Sequence, residues 1–431
     1  MLRVKRKIII AIIIIMFTMY LTNDYGIIDI KKTALVVGLG VDIDENDEDK
    51  YLVSAQIAIP SATDSKRFDQ EAVISGKGRT VAEAVKDLST LTGWYPKLKF
   101  CNLIIINEKV FEKNSIACLD FFLRSHSIQD STLLIASKDK AFDVLNASSP
   151  LDEISAFAIE KILSRDNENS SKIGITTLKN FLIGYYNFTN SGQIGLLSLI
   201  DSTDTSYDAN GEGSLELFPK NPVDSKESEK NNSQQSQGGQ SGSQKNQSGN
   251  QNNSTTDRKI LFVINRSLLI KGGKKVGSID LDKVLMLNII KGNFSKTSYN
   301  ITDVNINDGS EDVLLRLVKS DCKSKLTFEN NQPKFKVDLR LTARFEDQQQ
   351  ASDLSELEEG AKLPSALIDR ANEQIRQEII NLFNLSKETG CDVFCLKERL
   401  YERFPDKFLS RHENLLNETV IEVKVSLRGK L

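Results

Sequence analysis

Residue types that mark catalytic and metal sites are scarce in this 431-residue chain. It contains two histidines, His126 and His412, which are far apart in sequence and have no nucleophile motif beside them. A zinc site needs several cysteine or histidine ligands at close spacing, and no G-x-S-x-G nucleophile elbow is present. The sequence therefore predicts that the protein is not an enzyme, and we assign no catalytic residue, cofactor or metal ligand.

Cysteine is also rare. The five cysteines are Cys101, Cys118, Cys322, Cys391 and Cys395. An odd number argues against a complete disulfide framework in an exported protein. Cys391 and Cys395 are four residues apart, the spacing of one helical turn, so we expect buried free thiols that face one core. No cysteine stands near residues 22–25, where one would be needed to carry a lipid.

The chain lacks an excess of positive charge. Its formal net charge is −3, from 56 basic and 59 acidic side chains. Bulk electrostatics therefore gives no reason to expect nucleic acid as a partner.

Glycine-rich segments of the phosphate-binding kind are incomplete. The run from Gly38 to Gly40 has two glycines of a dinucleotide loop, but Ile43 stands where the third is required. The segment Gly272–Gly277 has phosphate-loop spacing, but Ser278 replaces the lysine. A strand and a hairpin turn are the better interpretations. The acidic segment Asp42–Asp49 lacks the central glycine and terminal glutamate of a calcium loop, and predicts a solvated hairpin.

What the sequence does contain is an apolar run directly after a basic cluster. The cluster is Arg3, Lys5, Arg6 and Lys7, and the run extends from Ile8 to Leu21. The positive-inside rule keeps the basic end in the cytoplasm and exports the rest. Fourteen helical residues span about 21 Å, less than the roughly 30 Å of a hydrocarbon core, and a run this short is also typical of a signal peptide. Because small residues do not end the run as in a cleavable signal, we expect residues 1–22 to be an uncleaved short anchor whose basic side chains extend to the interface.

Residues 223–258 divide the chain. From Ser225 to Asp257 the sequence contains no apolar residue, so this stretch cannot bury enough surface to offset the entropy of ordering it. We expect a disordered polar linker that joins two domains, or a loop insertion within one. The predicted domains are residues 24–222, an N-terminal α/β module of one or two subdomains, and residues 259–431, a C-terminal α/β domain.

Strand and helix patterns alternate in the N-terminal module. Ala34–Val41 and Tyr51–Ile59 predict a hairpin, and Thr80 with Glu83 forms a capping box for a following helix that ends at Gly93. Further predicted elements are a strand over 103–106, a helix over 116–123, a strand over 132–136 and a helix over 138–145 capped by Ser137. This alternation predicts a mixed sheet.

The C-terminal part predicts helices on a largely antiparallel sheet. Lys334–Phe345 and Glu418–Arg428 alternate between apolar and polar residues. Pro364 is suited to open a long helix that Gly390 ends, and Asp392 is placed to cap a second helix. The predicted fold class is therefore mixed α/β (α+β) and multi-domain, each domain a largely antiparallel or mixed sheet covered by helices, after an N-terminal hydrophobic anchor.

Four segments together resemble the Ger(x)C family, the C subunits of bacterial spore germinant receptors. They are the hairpin over 34–57, the stretch over 97–125, the strand and turn over 268–277, and the ending from Cys391 to Gly429. The Leu-Asp-Phe-x-Leu-Arg core is the most specific part. It contains Asp120 and Arg124, which lie four residues apart on one helix face, and we expect them to pair as family-typical scaffold.

The resemblance implies a non-catalytic, membrane-tethered subunit needed for spore germination. Its partners would be A and B type membrane subunits in the spore inner membrane, with the bulk of the chain on the outer, non-cytoplasmic face. The alternative is a membrane-tethered solute-binding protein that binds the germinant directly. The family is usually a lipoprotein, whereas this sequence has Thr22 to Gly26 where the lipid-bearing cysteine would stand.

Overall fold

Two mixed sheets covered by helices follow an amino-terminal helix in the described part of the protein. The computed structural model describes residues 2–22, 33–59, 70–113, 115–124, 128–149, 152, 154–164, 170–201, 260–306, 309–348 and 362–430. The two sheets and their helices confirm the predicted mixed α/β, multi-domain fold class. The predicted polar linker and His126 lie outside the described residues.

The elements before residue 202 form the following series. They are α1 (Leu2–Thr22), β1 (Thr33–Ile43), β2 (Tyr51–Ile59), β3 (Gln70–Gly78), α2 (Val81–Thr92), β4 (Tyr95–Lys97), β5 (Leu103–Asn107), α3 (Glu108–Lys113), α4 (Ser115–Arg124), β6 (Leu133–Ser137), α5 (Ala141–Leu145), α6 (Ser155–Ile162), β7 (Thr176–Thr177), α7 (Leu178–Tyr186) and β8 (Ser191–Asp201). Short 3₁₀ turns cover Leu98–Phe100 and Ser170–Lys172.

The elements after residue 259 complete the fold. They are β9 (Ile260–Lys271), β10 (Lys274–Asp280), α8 (Leu281–Lys291), β11 (Thr297–Ile306), β12 (Gly309–Glu329), β13 (Gln332–Gln348), α9 (Ser365–Thr389), α10 (Leu396–Arg403), α11 (Pro405–Arg411), α12 (Leu415–Glu418) and β14 (Val420–Lys430).

The first sheet has the order β10-β9-β8-β6-β5-β1-β2-β3, with β4 beside β1 and β7 beside β6. β1 pairs antiparallel with β2, which confirms the predicted hairpin, and parallel with β5. Val36 and Leu39 on this strand contribute to one core and Val37 to another. The central strands β5 and β6 have apolar side chains on both faces because both faces of the sheet are covered.

Two glycines in β1 let helices approach the sheet closely. A Cβ atom at Gly38 would lie 2.9 Å from the Cβ atom of Ala156 in α6, and one at Gly40 would lie 2.9 Å from that of Ala141 in α5. Both distances are too short for real carbon atoms. The Gly38–Gly40 run therefore serves helix packing within a strand, and Gly272 and Gly273 form the predicted hairpin turn with φ values of 58° and 77°.

The first sheet continues beyond the polar stretch of the sequence. β8 and β9 are antiparallel neighbours, with Ser191 opposite Lys271 and Asp201 opposite Ile260, so residues 202–259 connect two adjacent strands of one sheet. β9 and β10 therefore belong to the first sheet, although they lie within the predicted C-terminal domain. Leu268 and Ile270 are buried in the core of the first sheet. The polar stretch shows only that the chain leaves the first sheet after β8. The pairing of β9 with β8 and of β10 with β9 shows that the chain returns to the same sheet.

The second sheet has the order β11-β12-β13-β14. Its first three strands are antiparallel and β14 is parallel to β13. The helix α9 begins after Pro364, ends at Gly390 with φ of 65°, and buries the predicted stripe against the sheet. The buried residues of the stripe are Leu367, Ala371, Ile375, Ile379, Leu382 and Phe383. The alternation predicted for β13 is also confirmed, from Phe335 to Ala343.

One predicted helix cap is wrong and two are right. The Thr80 hydroxyl accepts the Glu83 N–H and caps α2, and the Asp392 carboxylate accepts the N–H groups of Leu396 and Lys397 and caps α10. Ser137 does not cap α5, which begins only at Ala141. Its buried hydroxyl has no hydrogen-bond partner among the described residues.

Candidate interaction surface

The residues predicted to form a membrane anchor all lie in one helix. Arg3, Lys5, Arg6, Lys7, Ile8 and Leu21 are part of α1. The large apolar side chains from Ile8 to Phe17 are each about half exposed or more. Across the described ranges, no helix combines the length and apolar character needed to cross a membrane. The anchor therefore stays a prediction.

The predicted Asp120–Arg124 pair forms on α4. Arg124 Nε lies 3.0 Å from Asp120 Oδ1, and the Arg124 side chain is largely exposed. The pairing is confirmed, while the role as family scaffold stays a prediction. An exposed pair at this spacing contributes only about 0.3–0.5 kcal/mol.

The acidic segment between β1 and β2 is less solvated than the sequence indicated. Asp42 is 3% exposed and Asp44 is 7% exposed. Lys77 Nζ lies 3.0 Å from Asp44 Oδ2, and this hydrogen bond lowers the pKa of the Asp44 carboxyl. Asp42 accepts N–H groups from α5. The expectation of a solvated hairpin is wrong for these two side chains, because α5 donates hydrogen bonds to Asp42 and Lys77 of β3 pairs with Asp44.

The cysteines and His412, which the sequence predicted to be structural, form no cluster of reactive side chains in the described residues. Burial raises the pKa of the Cys101 and Cys118 thiols to about 12. Cys391 is buried, but it lies with Cys395 ahead of α10 and outside any helix, so the helical-turn relationship was wrong. His412 stacks on Phe408 with ring centroids 4.9 Å apart. No cluster of three or more metal-ligating side chains occurs in the part of the chain that the structure covers.

A groove opens between α4 and α7. Its volume is about 440 Å³. The lining residues are Phe122, Leu123, Ile128, Asp130, Leu178, Lys179, Leu182, Ile183 and Tyr186. Lys179 Nζ lies 3.6 Å from Asp130 Oδ2, so one ion pair stands among mostly apolar walls.

A cluster of aromatic side chains continues from the end of α7 to the second module. The ring centroids of Phe188 and Tyr401 are 4.7 Å apart, and those of Phe188 and Phe408 are also 4.7 Å apart. Tyr401 lies in α10 and Phe408 in α11. The residues that follow α7 therefore contact the second module through tilted and edge-to-face ring pairs.

The outer side of this cluster is solvent-exposed. We call the exposed side chains of the paired Phe188 and Tyr401, together with those of Ile183 and Tyr186 on α7 and Leu409 on α11, the aromatic surface. Phe188 and Tyr401 are each about half exposed, and Leu409 is 86% exposed. Exposed apolar side chains that group together mark contact sites for other molecules, and tyrosine and phenylalanine are enriched in protein interfaces.

Sequence reasoning missed the aromatic surface. Tyr185, Tyr186 and Phe188 form a local aromatic signal at the end of α7, but such residues are more often core. Only the tertiary structure brings Tyr401 next to Phe188. The order of helices and strands along the chain does not show that the segments containing Phe188 and Tyr401 lie side by side.

These observations define a class of protein: two helix-covered mixed sheets that present a half-exposed aromatic surface shared by both modules. The family comparison is specific. The model for the spore germination protein N-terminal domain matches residues 26–199, and the model for the spore germination B3/GerAC-like C-terminal domain matches residues 265–428. Together the two matches cover most of the chain, which belongs to the Ger(x)C family of spore germination proteins.

Two individual proteins are similar to this chain. Spore germination protein B3 of Bacillus subtilis (strain 168) is 27% identical over 143 residues, which are 32% of this chain and 37% of that protein. The match therefore spans little more than a third of the relative's length. The crystal structure of the GerBC protein aligns with 91% of this chain and 96% of its own, with a TM-score of 0.48 and 14% identity.

Proposed function

We propose that the chain is a non-catalytic subunit of a nutrient germinant receptor and acts through protein–protein contacts. Its partners are A and B type membrane subunits in the spore inner membrane, and the bulk of the chain lies on the outer face. The observation that carries the proposal is the aromatic surface, on a member of a spore germination family. Large rings held in place by their neighbours lose little conformational freedom on binding and are frequent anchors in interfaces.

The helix α1 supplies the attachment to the membrane in this proposal. Arg6 and Lys7 are exposed beside the exposed apolar side chains that begin at Ile8. Basic side chains near the cytoplasmic end retain contact with water and headgroups while the apolar part enters lipid. Fractionation of spores tests this step: mature protein that is soluble and starts beyond Leu21 would contradict it.

A deletion strain tests the function itself. We expect loss of germination in response to nutrients, with germination by exogenous dipicolinate retained, because the proposed receptor acts before dipicolinate release. Complementation with the intact chain should restore the nutrient response. A normal nutrient response in the deletion strain would contradict the proposal.

The groove between α4 and α7 favours a second candidate, direct binding of the germinant. Its volume of about 440 Å³ falls in the range of small-molecule sites. Asp130 and Lys179 offer one charge of each sign, which suits the ammonium and carboxylate groups of an amino acid. Calorimetric titration of the purified chain with L-alanine, L-valine and glucose tests this candidate, with Lys179→Ala as the matched variant. Flat titrations with all three would remove it for these nutrients.

A further inference from the structure

The beginning of β1 lies next to a short segment with exposed aromatic side chains. Thr33 is in register with Tyr95, and Ala34 with Pro96, in the parallel pairing of β1 and β4. Trp94 is 47% exposed and Tyr95 is 54% exposed. The chain therefore enters the first sheet beside a tryptophan and a tyrosine that face solvent.

Basic and apolar side chains extend this patch. Lys97 and Lys99 are exposed on either side of the buried Leu98, and Leu91 and Phe100 are 65% and 49% exposed. We call Leu91, Trp94, Tyr95, Lys97, Lys99 and Phe100 the β4 edge. It combines large apolar side chains with two cations. Among the described residues, Asp130 pairs with Lys179 and Glu160 accepts a hydrogen bond from Asn102.

The β4 edge is held on regular structure. The helix α2 ends at Gly93 with φ of 69°, and the Trp94 N–H donates to the Thr92 hydroxyl. Trp94 and Pro96 also line a small apolar recess with Ala34 and Leu88. The aromatic side chains are therefore presented from a fixed backbone next to the start of β1.

Chain length keeps the β4 edge near the amino-terminal helix. The helix α1 ends at Thr22 and β1 begins at Thr33, so the ten residues 23–32 connect them. Even a fully extended connection of this length spans at most roughly 40 Å. If α1 is attached to a membrane, the β4 edge cannot be far from the same membrane.

We propose that the β4 edge rests on the headgroup region of the bilayer to which α1 is attached, and so sets the orientation of the first module. This inference rests on the membrane attachment proposed above. Tryptophan and tyrosine favour the membrane interface because their rings are apolar and their N–H and O–H groups remain hydrated. Lys97 and Lys99 match the negative charge of anionic headgroups.

The single tryptophan of the sequence provides the probe. The full chain is reconstituted into vesicles of phosphatidylcholine and phosphatidylglycerol, in which the phosphatidylcholine is either unmodified or brominated in its acyl chains. We expect brominated lipid to quench Trp94 emission and the emission maximum to lie at shorter wavelength than in an exposed reference. Emission that brominated lipid leaves unchanged would overturn the proposal and leave the β4 edge free for a protein partner.

A matched control moves the tryptophan to the far end of β1. Trp94→Phe combined with Asn46→Trp places the ring on the exposed hairpin loop after β1, roughly 35 Å from Thr33 at about 3.3 Å per residue. This variant should not be quenched, and equal quenching at both positions would also overturn the proposal. In a second variant, Lys97→Glu with Lys99→Glu, quenching of Trp94 should fall at least twofold. The quenching measurement does not involve germination. Unquenched Trp94 would therefore contradict the membrane contact of the β4 edge even if the nutrient response required the protein. Quenched Trp94 would support that contact even if the nutrient response did not require the protein.

Discussion

Asp42 Oδ1 lies 2.8 Å from the backbone nitrogen of Ala141, and Asp42 Oδ2 lies 2.9 Å from that of Phe142. The end of β1 thus provides the cap for α5, a helix that lies far along the chain. The Asp42 side chain is almost fully buried. Burial raises the pKa of its carboxyl to about 6, although the two N–H donors act in the opposite direction.

The raised pKa of Asp42 makes the stability of the protein depend on pH. The folded state holds the proton up to about pH 6, whereas the unfolded chain releases it near 3.8. The stabilising contribution is therefore complete below pH 3.8 and is lost as the pH rises through 6. A rise of about two pKa units corresponds to about 3 kcal/mol.

Asp42→Asn isolates this contribution, because the amide does not titrate. We expect the unfolding free energy of the original chain to fall by about 2 kcal/mol relative to the variant between pH 4 and pH 7, because part of the loss is already complete at pH 4. Denaturant unfolding at both pH values measures the difference. A difference that does not change with pH would contradict the assignment.

Local patterns were sufficient for much of the fold, and the reasons are physical. The stripe of α9 and the alternation of β13 are encoded in neighbouring residues, so periodicity predicted both. The Asp42 cap and the Phe188–Tyr401 contact join segments that only tertiary folding brings together. Ser137 illustrates the same limit. Its local sequence suggested that it caps α5, but the cap is the carboxylate of Asp42, which is distant in sequence.

Gly40 lies where the structure leaves no room for a larger side chain. A Cβ atom there would lie 2.9 Å from the Ala141 Cβ atom and 3.1 Å from a Leu145 methyl group. Gly40→Ala should therefore lower the free energy of unfolding by about 1–3 kcal/mol through overpacking. Gly192→Ala is the control, since its nearest neighbour would be at an ordinary 3.6 Å. Equal effects of the two substitutions in thermal unfolding would refute the packing explanation.

Asn288 joins α8 to the segment that precedes β7. Its Nδ2 group donates to the carbonyls of Ser171 and Ile173 at 2.8 and 3.1 Å, and the side chain is 6% exposed. Asn288→Ala removes the donor from both buried carbonyls and should cost about 2 kcal/mol of unfolding free energy. Gln377→Ala, which breaks only an exposed contact with Asn381, should change it by less than about 0.5 kcal/mol. Similar losses in the two variants would argue against this role of Asn288.

The buried thiols should be unreactive in the folded protein. The thiolate is the reactive form, and burial raises the pKa of Cys101 and Cys118 to about 12 and that of Cys391 to about 11. We expect iodoacetamide at pH 8 to leave these three unmodified in the native state and to modify all five cysteines in denaturant. Peptide mass spectrometry locates the adducts. Rapid native labelling of Cys101 or Cys118 would contradict their burial.

The aromatic surface should be required for assembly and not for folding. Tyr401 and Leu409 are 50% and 86% exposed, so Tyr401→Ser with Leu409→Ser removes the ring contacts of Tyr401 with Phe188 and Phe408 but no fully buried side chain. If the surface binds a partner subunit, this double variant should lose at least tenfold of its co-purification with the A and B type membrane proteins, while its melting temperature changes by only a few degrees. Interface anchors of this kind cost about 2 kcal/mol or more each when truncated.

Leu261→Ser provides the matched control for the aromatic surface. Leu261 is 44% exposed and lies at the opposite end of β9 from Lys271, whose side chain approaches Gly390 ahead of α10. The strand places it roughly 35 Å from that contact at about 3.3 Å per residue. Co-purification should therefore survive in the control. Loss of assembly in both variants would indicate general destabilisation, and retention in both would show that the aromatic surface does not bind these partners.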